Sequence, residues 1–363
     1  MSCEIVGIKM TEQEIKQFAI NEILEDLKSI LTCLQICAFN NVNFSIYMGV
    51  IPYMCTFVYA AYEFLKKEDL ISKDIDRAFV KKISKVRSKF LKQYVEFKQG
   101  TYNSLNSFNR NEYIKHFHKI YPRTDIFIDK TVCNYYVATL NNLPIDNYHL
   151  SSSILNCEIG SYKEDITPNV QSFICNMIAF VKELLSYTTD SFEEPTKKIE
   201  FGNVQYFNFN MAYGYKNFTI KDNPPILMAF LDILCAINSF NTVFKRINID
   251  KRLELKISYL ILFESKLGIE QLIKYCKESQ IDINPPNILI KHIADIRCVN
   301  QLRNYCAHYD YNKQTWHADP IVEAFEYHFK QTLNIVDDMI KAWLLDLGHL
   351  LNNFLIPYNL TQC

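Results

Sequence analysis

The stretch Arg303-Asn304-Tyr305-Cys306-Ala307-His308 puts a guanidinium, a carboxamide and an imidazole close together in the chain. That set suits RNA strand scission without a metal. An imidazole titrates near neutral pH, so it can take a proton from a ribose 2′-OH or give one to the leaving 5′-oxygen. A guanidinium can neutralise the phosphorane-like transition state through two directed hydrogen bonds. Asn304, one helical turn before His308, can orient the imidazole or a phosphate oxygen. Arg303, His308 and Asn304 are therefore the candidate catalytic residues.

Their spacing constrains how they could act together. Five residues on a continuous helix turn through about 140°, so Arg303 and His308 converge poorly on one straight helix. They can converge if the helix frays at Ala307, or if two such helices meet face to face. The residues before them predict one amphipathic helix over Asn287–Cys306, opened by Asn284-Pro285-Pro286. At about 100° per residue, Leu289, Ile293, Ile296, Val299, Leu302 and Cys306 share an apolar face, and Arg303 falls near its middle. A charge there needs a carboxylate, a second protein chain or an anionic ligand, because an unpaired buried charge is very costly.

LRNYCAHYDY resembles the Arg-x(4–6)-His motif, with Asn after the Arg, of HEPN-superfamily ribonucleases. It is particularly similar to the Leu-Arg-Asn-x-Cys-Ala-His stretch of Abi-like (abortive infection) HEPN proteins. The bare spacing arises by chance about 0.5 times in a chain of this composition, and requiring Asn lowers that to about 0.05. The resemblance implies an α-helical bundle, usually a homodimer, that cuts RNA without a metal or other cofactor in antiviral defence or as a toxin. It also implies catalytic roles for Arg303 and His308 and a supporting one for Asn304. The continuation differs: Tyr309-Asp310-Tyr311 stands where those proteins commonly carry another basic or His residue.

The rest of the chain is consistent with a globular, RNA-gathering protein. Its 363 residues are 49% hydrophobic and 22% charged, and they contain no Gly-x-Gly. P-loop and dinucleotide-fold nucleotide chemistry are thereby excluded. Between Lys66 and Arg123 there are 15 Lys/Arg against 6 Asp/Glu, a local +9 that leaves −10 for the remainder of a chain with net charge −1. The helix expected from Asp74 to Lys98 carries much of this excess. Phe79, Ile83, Val86, Phe90, Tyr94 and Phe97 make its apolar side. Lys81, Lys85, Lys89 and Lys92 mark a face that is simply solvated, tracks RNA phosphates or meets an anionic membrane surface.

Other chemistry-bearing residues take plainer readings. Arg110 and His116 repeat the Arg-Asn…His theme but read as a basic surface segment, and His116 with His118 lacks a full ligand set for a metal. Asp337-Asp338 diverge by about 100° on a helix and read as a solvated edge. His292 reads as a core or interface histidine. Tyr305, Tyr309, Tyr311 and Trp316 either stack bases or pack the core. The twelve cysteines read as reduced intracellular thiols, with Cys33 and Cys37 in a core.

The elements that must position these residues are mainly α-helical, as scarce Gly and Pro suggest. We expect an N-terminal helical region (1–123), a mixed connecting region (124–223) and a C-terminal helical nuclease domain (224–363). Ala38–Tyr62 is uncharged and reads as a kinked core helix, so stable membrane insertion is not expected. Lys130–Leu140 reads as a short helix, and Glu193–Asn223 as a small β-hairpin. The C-terminal helices are expected at Ile226–Arg246, Lys251–Ser279, Asn287–Cys306 and Pro320–Leu355. Expected partners are RNA, a second copy of the chain, and an antitoxin or companion RNA, in the cytoplasm. The alternative from another class is a non-catalytic RNA- or protein-binding module that uses Arg303 only as a buried anchor.

Overall fold

The structure is a computed structural model that describes residues 9–39, 44–71, 75–98, 134–147, 167–188, 199–210, 218–220, 224–247, 249–311 and 315–356. It is mainly helical, with one small antiparallel sheet. The expected boundaries at 123 and 223 lie outside the described residues, as do Arg110, His116 and His118.

Helix α1 spans Glu12–Phe39, α2 Ser45–Met48, α3 Ile51–Lys67 and α4 Arg77–Lys98. Strands β1 (Asn134–Leu140) and β2 (Leu143–Asn147) follow, then α5 (Thr167–Ser186) and β3 (Val204–Asn210). The C-terminal helices are α6 (Pro224–Val243), α7 (Lys251–Glu278), α8 (Asn287–Asp295), α9 (Asn300–Ala307), α10 (Pro320–Phe329) and α11 (Leu333–Leu355).

The centre is α7. Asp250 caps it by accepting from the backbone N–H groups of Arg252 (2.8 Å) and Leu253 (3.1 Å). Leu255 to Ser265 are buried without a break, so this helix is enclosed on all sides. It packs against α1, α3, α4, α6, α9 and α11. One hydrophobic core runs from Ile15 to Ile356.

Within the uncharged Ala38–Tyr62 stretch residues 45–58 are buried as expected, but they are not part of one kinked helix. Pro52 opens α3 instead of bending it, and α2 forms a separate turn before Gly49. A Cβ on Gly49 would come within 2.6 Å of the Cys235 carbonyl oxygen, so α2 and α6 approach this closely only through glycine. Helix α6 is long and apolar enough to cross a membrane, yet its apolar window is 89% buried inside the fold.

The middle region departs from expectation. Residues 134–140 form a strand, not a helix, and the tight hairpin joins β1 to β2. Asn141 and Asn142 take φ of 53° and 64°, the left-handed pair that a two-residue hairpin demands and that asparagine tolerates. From the expected Glu193–Asn223 hairpin the described residues contain one strand, β3, which pairs with β1 (Val137 opposite Phe207) in the order β2-β1-β3. The sheet is pinned to α6: Asn238 donates to the Pro144 carbonyl and Ser239 to the Ile145 carbonyl, each at 2.8 Å.

Two expected long helices are each divided. Lys330 turns left-handed (φ 56°) and ends α10, after which α11 starts anew. Asn287–Cys306 breaks at Ile296–Val299, whose ends are extended. There the Tyr259 hydroxyl accepts from the Val299 N–H (2.8 Å) and donates to the Val299 carbonyl (3.2 Å). A side chain of α7 thus satisfies backbone groups that a continuous helix would satisfy itself.

A buried ionic cluster ties α1 to α7. Lys256 is fully buried and contacts Glu22 (2.7 Å) and Asp26 (2.5 Å) on α1. Arg252 reaches Glu22 (3.1 Å) and Asp319 (2.6 Å). Burial opposes the Lys256 charge, but the two carboxylates hold its pKa above the usual lysine value. Burial, reinforced by Glu22, pushes Asp26 up to about 7 against the pull of Lys256. Lys256→Met leaves two buried carboxylates short of their main cation and should cost about 3–5 kcal/mol in urea unfolding. A loss below about 1 kcal/mol would show that α1 is held by apolar packing alone.

Candidate functional site

The break before α9 decides where Arg303 lies. Helix α9 starts at Asn300 with its own phase, and the Arg303 N–H bonds the Val299 carbonyl at 3.0 Å. Leu302, Tyr305, Cys306 and Ala307 are buried, and the Arg303 side chain is 20% exposed. Around the helix it falls between Cys306 and Ala307, so a charged side chain emerges from within the buried arc. Of the three partners such a charge could have, the chain supplies a carboxylate: the guanidinium lies 3.5 Å from Glu264 on α7. A second guanidinium nitrogen donates to the Asn304 side-chain carbonyl at 3.3 Å.

Glu264 is 5% exposed, and burial pushes its carboxyl up to about 7 although Arg303 pulls it down. Near neutral pH it is only partly ionised, so it neutralises Arg303 incompletely. On α3, burial and then the charge of Glu264 raise the Tyr53 phenol well above its usual value.

Helix α9 ends at Ala307, so Arg303 and His308 do not share one continuous helix. His308 is extended (φ −144°, ψ 151°) and half-buried. Its neighbours fix its place: Ala307 is buried, and Tyr309 donates to Asp26 of the ionic cluster at 2.6 Å. The structure thus joins Arg303 and Asn304 directly, with His308 immediately beyond the helix end. Asn304 is exposed.

The lysine-rich helix approaches the site through a residue that the periodicity did not single out. Helix α4 packs on α3 and α7. Lys81 and Lys85 are exposed on it, Lys82 lies over the Phe173 ring at 5.2 Å, and Lys89 and Lys92 continue the same helix. Arg87 points inward, its guanidinium carbon 5.1 Å from the Tyr59 ring centre. Burial, and then the field of Arg303, depress its pKa. The signal was present in the sequence, since Arg87 is four residues after Ile83 and three before Phe90, on the apolar side.

Other expected residues find structural roles. Tyr305, Tyr309, Tyr311 and Trp316 are all buried, which removes them as base-stacking platforms. Tyr305 meets Trp316 edge-on at 5.3 Å, and Trp316 donates to the Tyr311 carbonyl at 2.7 Å. His292 contacts the Trp343 carbonyl at 3.2 Å, joining α8 to α11. Asp337 pairs with Lys341 at 2.9 Å, and Asp338 is exposed. Cys33 and Cys37 are buried, with burial pushing the Cys33 thiol up to about 12. Among the described residues, no group of three His, Cys, Asp or Glu side chains is placed to hold a metal.

Glu264 also makes stability pH-dependent in a way that can be isolated. Its folded pKa, about 7, exceeds the usual 4.5, so the fold binds this proton more tightly than the unfolded chain does. The corresponding stability is complete below about 4.5 and is lost as pH rises through about 7. Glu264→Gln lacks this titration, so raising the pH across that window should cost wild type about 3 kcal/mol more than the variant. Denaturant unfolding at both ends of the window measures it, and parallel pH profiles would refute a protonated Glu264. Asp26 titrates in the same range in both chains and cancels in the comparison.

No protein-family model, curated protein or solved structure matches the chain, whose site is defined by its own residues: Arg303 against buried Glu264, Asn304 beside it, and His308 past the helix end.

Proposed function

We propose that the chain is a metal-independent endoribonuclease of the antiviral-defence or toxin kind, with its active site at Arg303, Asn304 and His308 completed in a homodimer. The observation that carries the reading is the end of α9. The helix stops at Ala307, His308 leaves it in an extended conformation, and Arg303 remains partly open beside an incompletely ionised carboxyl. The resemblance of LRNYCAHYDY to Abi-like HEPN ribonucleases supports the same assignment.

In this mechanism the ribose 2′-oxygen attacks the adjacent phosphorus and the 5′-oxygen leaves. His308 takes the proton from the 2′-OH or delivers one to the departing 5′-oxygen. Arg303 neutralises charge on the non-bridging oxygens as it develops, and Asn304 steadies the guanidinium or a phosphate oxygen. The products carry a 2′,3′-cyclic phosphate and a 5′-hydroxyl. Lys81, Lys85, Lys89 and Lys92 supply a sequence-independent attraction for the RNA backbone.

The Arg303–Glu264 contact favours one competing reading, a non-catalytic RNA- or protein-binding module in which Arg303 is an anchor. Incubation of wild type, Arg303→Ala and His308→Ala with total cellular RNA, followed by mapping of ends, separates the two. Wild type should leave cyclic-phosphate ends, and each variant should lose at least about 100-fold in rate while staying folded. Cutting retained in both variants overturns the assignment. RNA bound by wild type but never cut supports the anchor, and inhibition by EDTA points to a metal-dependent site elsewhere.

A further inference from the structure

We propose that Arg87 of α4 and Arg303 of α9 form a two-guanidinium seat for one phosphate group of the RNA strand, with Glu264 acting as the positioning residue for Arg303. The proposal rests on the RNA reading above and adds a binding residue to it.

Four helices bring the seat together. Helix α4 packs on α3 and α7, and α9 packs on the same two helices. Tyr59 of α3 lies under the Arg87 guanidinium, and Glu264 of α7 lies 3.5 Å from that of Arg303. An aromatic face holds a planar cation in a fixed orientation and leaves its edge free to donate. The Arg87 Nε is buried and has no hydrogen-bond partner. The protein thus leaves part of this guanidinium's hydrogen-bonding capacity unmatched.

The charges point the same way. The two guanidinium groups repel each other, and burial adds to the cost of keeping Arg87 charged. The acidic groups that offset them are Glu264, which is partly protonated near neutral pH, and Glu63, which is exposed and screened by water. A positive excess therefore stays where α4 and α9 pack on the same two helices. A phosphate diester carries one negative charge and two acceptor oxygens, enough to engage both forks at once. It would span the lysine-bearing helix and the residues proposed for cleavage, so the strand gathered along α4 would arrive in register with His308.

The test uses the full chain and a short 2′-O-methyl oligoribonucleotide, which binds but lacks the 2′-OH nucleophile. Fluorescence anisotropy across a salt series gives the affinity and its salt slope. Arg87→Met should weaken binding about tenfold and lower the slope of log Kd against log salt by about 0.7, the value for one lost phosphate contact on a single strand. Arg87→Lys should keep the slope but recover only part of the affinity, because lysine supplies charge without the fork. If Arg87→Met melts early, the lysine variant, judged at an unchanged melting temperature, decides.

Unchanged affinity and slope in a folded Arg87→Met chain overturn the seat and leave the ribonuclease reading untouched. Loss of binding in the variant while wild type cuts no natural RNA keeps the seat and removes the ribonuclease reading. Failure of wild type to bind the oligonucleotide overturns the seat, and cleavage of natural RNA then judges the enzyme separately.

Discussion

The contact of Lys256 with Asp26 and Glu22 is the constraint on which the rest depends. Removing a lysine entirely from water is tolerable only because two carboxylates meet it, and both come from α1. That requirement brings the N-terminal helix onto the central one. The same Asp26 accepts from Tyr309, so the segment leaving α9 is held by the cluster that holds α1. The candidate site is thus framed on one side by a charge buried for structural reasons. On the other side it is framed by Glu264, a charge buried at lower cost because it can take up a proton.

Helix α7 does two kinds of work along its length. Lys256 anchors α1, Tyr259 satisfies the broken backbone at Val299, and Glu264 receives Arg303. These positions are spaced by three, then five residues, so they look out in different directions from a helix buried on all sides. The site owes its geometry to that helix more than to the one that carries the motif.

Much of this could be read from the sequence by a single criterion, a charge on an apolar stripe. Applied to Arg303 it correctly demanded a partner. Glu22 and Asp26 beside Ile23 and Leu27, Lys256 and Glu264 inside the long apolar run of α7, and Arg87 between Ile83 and Phe90 satisfy the same criterion. The break at Ile296–Val299 was harder to see, because Ile296 and Val299 face the core in extended form as they would in a helix. Apolar spacing does not distinguish the two over so short a span, and the deciding group, the Tyr259 hydroxyl, is forty residues away in sequence. The β1–β2 turn has a local signal in Asn141-Asn142, but reading the residues before it as a short helix hides the pairing.

The hydrogen bond between Tyr309 and Asp26 joins groups 283 positions apart in sequence. During synthesis α1 emerges early, and its two carboxylates stay in water until α7 and then Tyr309 follow. Closing so large a loop is slow compared with forming any single helix. The surroundings of His308 therefore depend on a contact that can form only after both α1 and the segment past α9 have been made.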